Sequence, residues 1–289
     1  MKITLLGTGT PTNPYRFQTA VLIETGGSVM LFDAGRGAVH QMHQANAPIA
    51  RVNPLFITHH HFDHINDLFD VLVSSAMLGR TQAMKIFGPA GTERIVRVLL
   101  EQVYAQDIRF RIEEKKDIER LGGHFGEEPA AIGLVDVCEV GPGLVFENDD
   151  CRVTAEYVLH GDFSHVPDFD WRCLGYRIEA EGKVVTISGD TVLCDGILSL
   201  AENADLLIQC CHMPASKVNS IAMKYLSDTV LPSSAQVGQI AAQAHVKRMV
   251  LTHLSATINQ DNFAEIQADI RLAYDGDVLL GEDLLVIEL

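Results

Sequence analysis

The chain has 289 residues and a net charge of −16, with 38 acidic against 22 basic side chains. That length can bury a large core, and 47% hydrophobic with 21% charged residues is the balance of a globular protein. No apolar run reaches the roughly 20 residues that span a bilayer, and no long basic run is present to neutralise a polyanion, so no membrane and no nucleic-acid partner is expected, and a cytoplasmic location is.

In chain order, short apolar runs bounded by Gly, Pro and Asn predict strands over Lys2–Leu6, Thr19–Glu24 and Ser28–Phe32. Gly35-Arg36-Gly37 opens a helix through Gln44, and Pro54–Thr58 is a buried strand ending at His59. Helical spacing of Ile65, Leu68, Phe69, Leu72 and Val73 predicts a helix over 66–78. A strand over Lys85–Phe87 and a turn at Gly88–Gly91 precede a helix over Thr92–Tyr104. Residues 106–129 carry no assignable pattern. Strands follow at Leu144–Phe146, Arg152–Leu159, Cys173–Ile178, Lys183–Ile187 and Leu206–Ile208. A helix over Ser233–His245, capped by Ser233 or Ser234, leads to a strand over Arg248–Leu251. A helix over Asn262–Tyr274 and strands at Val278–Leu280 and Leu284–Ile287 close the chain. Strands then helices, repeated in two halves without a linker, predict one α/β domain over residues 1–289. Two mixed sheets flanked by helices fit this order better than a doubly wound parallel sheet.

The chemistry is concentrated in Thr58-His59-His60-His61-Phe62-Asp63-His64, directly after an apolar strand. Burying such groups without partners costs several kcal/mol in total, and a metal ion is the partner that suits them. In extended backbone, residues two apart point the same way, so His59 and His61 can grip one ion while Asp63 and His64 reach a second. The six cysteines contain no C-x-x-C pair, which removes zinc-ribbon and thioredoxin readings.

The H-x-H-x-D-H run resembles the signature of the metallo-β-lactamase superfamily. Ser188-Gly189-Asp190-Thr191 resembles its G-D-T element, and Leu251-Thr252-His253-Leu254 its last-ligand segment. Val153–His160 resembles the strand that ends at the third histidine of the first metal, with His165 as the alternative. Leu6–Pro11, Leu31–Gly37 and Ile86–Gly91 resemble the tRNase Z and arylsulfatase-like branch. The resemblance implies an αββα sandwich and two Zn2+ ions, with Mn2+ or Fe2+ as alternatives. The ions would be held by His59, His61, Asp63, His64, His160, Asp190 and His253. It also implies a bridging hydroxide held by Asp190 as nucleophile, a role for Asp33 in orienting a ligand or the motif loop, and a homodimer.

The branch match breaks at two places. The H-E-A-T and H-S-T segments of tRNase Z, whose Glu and His assist the leaving oxygen, align with Gln209-Cys210-Cys211-His212 and Pro232-Ser233-Ser234. Cys210 and Pro232 stand where the dyad would be, leaving His212 or His165 as the substitute acid. With no basic tRNA-binding insertion, the expected substrate is a small-molecule phosphodiester or sulfate ester, and tRNA 3′ processing is disfavoured. Lactone or carboxylic-ester hydrolysis and iron-dependent oxygenation on the same fold are the alternatives. Catalytic roles fall to Asp63, Asp190 and His212.

Overall fold

The computed structural model describes residues 1–124 and 128–289. Its first sheet begins as an antiparallel meander of β1 (Lys2–Gly7), β2 (Ala20–Thr25) and β3 (Ser28–Phe32). It continues in parallel through β4 (Leu55–Phe56), β5 (Met84–Gly88) and β6 (Val135–Glu139). The second sheet holds antiparallel β7 (Gly143–Glu147), β8 (Arg152–Val158), β9 (Cys173–Ala180) and β10 (Lys183–Ile187). Parallel β11 (Leu206–Cys210), β12 (Arg248–Thr252) and β13 (Asp277–Leu280) complete it, while β14 (Leu285–Glu288) returns to pair with β1. The orders are β14-β1-β2-β3-β4-β5-β6 and β13-β12-β11-β10-β9-β8-β7.

Alternation along each strand builds the layers. Ile3, Leu5, Val21, Ile23, Met30 and Phe32 face Val153, Tyr176, Ile178, Val185, Ile208 and Val250 between the sheets. Their sequence neighbours Leu22, Leu31 and Leu55 point outward and pack with Met42 of α1 (Ala38–Gln44) and Val71 of α3 (Leu68–Met77). On the other side Leu207, Met249 and Leu251 pack against Ile197 of α7 (Asp195–Ala201), Val237 of α9 (Ser234–Gln243) and Ile266 of α10 (Phe263–Arg271). Strands covered on both faces read as continuous apolar runs, which is how they read in the sequence. The fold is the expected αββα sandwich of two mixed sheets.

Local departures have physical causes. The helix expected over 66–78 is α3, and a separate helical turn that was not expected, α2 (Phe62–Ile65), precedes it inside the histidine motif. Asp67, before α3, accepts the Gly37 amide at 2.9 Å and the Val39 amide at 3.3 Å at the start of α1. α4 (Thr92–Val98) continues as a π-helical turn over Leu99–Val103. The unassigned stretch contains α5 (Ala105–Arg120), which buries no residue and so shows no apolar period. Surface pairs such as Arg111–Asp107 at 2.8 Å line it instead. Residues 125–127 of that stretch lie outside the described ones, and α6 (Glu128–Ala131) follows. Among the longer elements, β6, α7 and α8 (Ile221–Thr229) were not expected either. In α7, Gly196 serves close packing, since a Cβ there would sit 1.9 Å from the Tyr157 carbonyl oxygen. Ser233 occupies the N-cap position of α9 without a capping bond from its side chain, and the Ser234 hydroxyl bonds Asp269.

Candidate metal centre

The site lies at the carboxyl ends of strands, where crossover loops leave a crevice between the sheets. Asp33 follows β3, Thr58–His64 follow β4, His160 follows β8, Asp190 follows β10, His212 follows β11 and His253 follows β12. Two backbone positions there are left-handed in non-glycine residues, Asp33 at φ 58° and His253 at φ 52°. Gly189, at φ 59°, turns the chain into Asp190 where a Cβ would lie 2.8 Å from the Leu174 carbonyl oxygen.

Seven side chains converge in two groups. His59, His61, His160 and Asp190 bring one donor atom each to within 4.8 Å of one another, and so do Asp63, His64 and His253. Asp190 lies between the groups, with Oδ2 at 3.2 Å from His253 Nε2, 3.8 Å from His160 Nε2 and 4.0 Å from His59 Nε2. Its Oδ1 lies 3.6 Å from His64 Nε2. Asp63 Oδ2 lies 3.2 Å from His253 Nε2. All but His61 are buried, and His61 marks the open side.

The outer hydrogen bonds set the tautomers. The Thr58 amide and hydroxyl both donate to Asp33, at 2.8 Å each. The hydroxyl oxygen therefore accepts from His59 Nδ1 at 3.0 Å. His64 Nδ1 donates to Asp33 Oδ2 at 2.7 Å, and His160 Nδ1 to the Val230 carbonyl at 2.7 Å. The Nε2 atoms of His59, His64 and His160 thus face inward.

This arrangement fits a cation better than the protein alone. His59 Nε2 and His160 Nε2 lie 3.0 and 3.1 Å from His61 Nδ1, which can donate to only one of them. His64 Nε2 and Asp190 Oδ1 are buried without a hydrogen-bond partner, a costly condition unless an ion satisfies them. Burial, and then repulsion from His160, lowers His61 to a pKa of about 4. Burial likewise lowers His59 and His160. Burial opposes charge on Asp190, but His253 and His64 outweigh it and hold its pKa well below the usual range. Burial opposes charge on His64 too, but Asp33 and Asp190 outweigh it and raise its pKa well above the ordinary value. The cluster thus holds a proton that a divalent metal would replace among these imidazole and carboxylate donors.

Among the expected candidates, His160 joins the first group, whereas His165 is exposed on the loop beyond it and joins neither. His212 belongs to no ligand group. Its ring centroid lies 6.5 Å from that of His253, its Nδ1 is buried without a partner, and burial lowers its pKa to about 4. His60 turns away and bonds Thr92 Oγ1 at 2.8 Å, tying the motif loop to α4. Cys210 is buried, with its thiol pushed far up by burial, and bonds the Thr191 amide and carbonyl at 3.3 Å. Sequence reasoning missed Thr58, which links Asp33 to His59, and Trp171, whose Nε1 donates to the His160 carbonyl at 2.9 Å. Trp171 is the only tryptophan in the chain, the one signal that singled it out.

Comparison with known proteins agrees with the fold and widens the chemistry. Residues 1–270 match the family described as Anti-Pycsar protein Apyc1. Ribonuclease Z of Mycobacterium avium (strain 104) is 30% identical over 292 residues, covering 98% of this chain and 96% of the relative. The metallo-β-lactamase fold protein YhfI from Bacillus subtilis superposes with a TM-score of 0.71 at 18% identity, covering 99% of this chain and 98% of its own. The short form of human tRNase Z superposes with a TM-score of 0.67 at 23% identity, covering 100% and 99%.

The ribonuclease Z relatives correct two expectations, a small-molecule ester substrate without nucleic acid and the setting aside of tRNA-type processing. The expectation rested on net charge, which is a sum over the whole surface and does not exclude local engagement of a phosphodiester. The chain belongs to the Anti-Pycsar protein Apyc1 family, among the metallo-β-lactamase-fold hydrolases of the ribonuclease Z branch.

Proposed function

We propose that this protein is a phosphodiesterase acting on a ribonucleotide phosphodiester, with two zinc ions held by the two donor groups. The observation that carries this reading is the pair of groups meeting at Asp190, with inward-facing buried atoms that have no partner in the protein. His59, His61 and His160 with Asp190 would hold one ion, and Asp63, His64 and His253 with Asp190 the other. Bound ions of this kind supply a nucleophilic water at neutral pH and offset charge growing on the phosphoryl oxygens.

The chain's own residues do the rest. Asp190 is held ionised by His253 and His64 and so faces both groups as a carboxylate. Asp33 and Thr58 fix the rings of His64 and His59. His61, on the open side, sets the direction of substrate entry. His212 replaces the lost dyad. With a pKa of about 4 its ring is neutral at pH 7, so it assists the leaving oxygen by donating a hydrogen bond.

The test is hydrolysis of bis(p-nitrophenyl) phosphate and of a short RNA by zinc-loaded protein, with chelated protein and His61→Ala as controls. Turnover of both substrates, lost in both controls, is expected. His212→Ala should keep its metal and lose roughly 10²-fold in kcat. Absence of turnover from protein shown to hold two ions, or turnover of p-nitrophenyl sulfate alone, would overturn the reading.

A further inference from the structure

The loop between β8 and β9 carries Phe163, Phe169 and Trp171 beside the first donor group. The Trp171 ring centroid lies 4.8 Å from that of His61 and 5.9 Å from that of His59. Phe169 runs parallel to Trp171, with centroids 6.2 Å apart and planes within 8°, and Phe163 meets Phe169 edge-on at 5.2 Å. Phe169 is 47% exposed, and neither phenylalanine belongs to any hydrophobic cluster among the described residues. The two phenylalanines therefore do not serve the core, whereas Trp171 packs against the cluster under α7, α9 and α10. Trp171 and Phe169 line a cleft of about 240 Å³, below the roughly 300–1,000 Å³ of sites for drug-sized ligands and suited to one flat ring.

The platform is tied to the metal-site backbone. Trp171 Nε1 holds the His160 carbonyl, and the Phe163 ring lies over Gly161, at φ 88°, where a Cβ would meet it at 2.5 Å. Its charge is selective as well. Asp162, Asp168 and Asp170 are exposed on the loop, and Arg172 is paired with Asp170 at 2.5 Å. Carboxylates here repel a second phosphate, while an aromatic face accepts any base.

We infer that Trp171 and Phe169 form a stacking subsite for the nucleobase next to the scissile phosphate, and that this base belongs to a nucleoside bearing no further phosphate on that side. The inference rests on the phosphodiesterase reading for its substrate, and on the ring geometry alone for its ligand.

Because Trp171 is the only tryptophan, intrinsic fluorescence reads this subsite directly. Zinc-loaded protein titrated with uridine 5′-monophosphate should show saturable quenching, and ribose 5-phosphate should not reproduce it. Phe169→Ala should weaken nucleotide binding by about tenfold, the range of one base–aromatic stack. In the kinetic arm, the preference for thymidine 5′-(p-nitrophenyl phosphate) over methyl p-nitrophenyl phosphate, as a ratio of kcat/KM, should fall about tenfold in Phe169→Ala. Trp171→Leu should lower the same ratio. Equal quenching by both phosphates, or an unchanged ratio, overturns the subsite and leaves the phosphodiesterase standing. Base-dependent quenching without turnover of either ester overturns the phosphodiesterase and supports the subsite.

Discussion

Asp33 shows how much of a metal site lies one layer behind its ligands. Its two oxygens take the Thr58 amide, the Thr58 hydroxyl and His64 Nδ1, so one carboxylate orients a ligand of each group. Asn tolerates the left-handed φ at this position, and Asp33→Asn removes the charge while keeping the shape. Metal affinity should fall by about 10- to 100-fold with the fold retained, measured by competition with a chromophoric chelator. Retained affinity would make Asp33 a turn residue only. The pH response also belongs to single residues. His61 is lowered to about 4 by burial first, then by His160, with Asp190 and Asp63 opposing. A lowered pKa keeps the ring neutral, with one nitrogen able to bind a cation, well below 6.5, the ordinary value. Bound metal should therefore persist as pH falls from about 7 to about 5 and leave as it nears 4. Metal analysis after dialysis checks this, and loss centred near 6.5 would contradict it.

At the level of elements, Tyr176 joins the two sheets next to the site. It sits in β9, is fully buried, and donates its hydroxyl to the Ile57 carbonyl just after β4 at 2.7 Å. Its ring also meets Phe56 at 5.3 Å and Phe32 at 5.7 Å. Tyr176→Phe keeps the ring and leaves that carbonyl unpaired, which should cost about 1–3 kcal/mol. A lower urea midpoint with an unchanged m-value is the expected signature. The strands were legible as runs because both faces of each sheet are covered, whereas α5 was not, because it buries nothing.

For the whole molecule, charge and substrate must be reconciled. A net charge of −16 is unfavourable for wide contact with RNA, and the acidic loop around Trp171 repeats this beside the site. Recognition should therefore involve few phosphates. If about two are neutralised, log KM for a short RNA should change with log salt by a slope of magnitude no more than about 1.5. A much steeper dependence would reveal a basic surface elsewhere.

The sequence by itself determined which side chains form the heart of the candidate metal centre. His59, His61, Asp63 and His64 lie within one local segment, and a six-residue spacing holds its geometry wherever the segment folds. It also determined the sandwich, since apolar periodicity is a local property. Only the tertiary structure decided that His160 rather than His165 joins the first group, because the end of β8 reaches the crevice while His165 sits on an exposed stretch of the loop beyond it. The same holds for Asp33 and Thr58 beneath the ligands, the separation of His212 from them, and the aromatic rings beside His61. These depend on which chain segments meet across the sheets, and no local pattern encodes such long-range contacts.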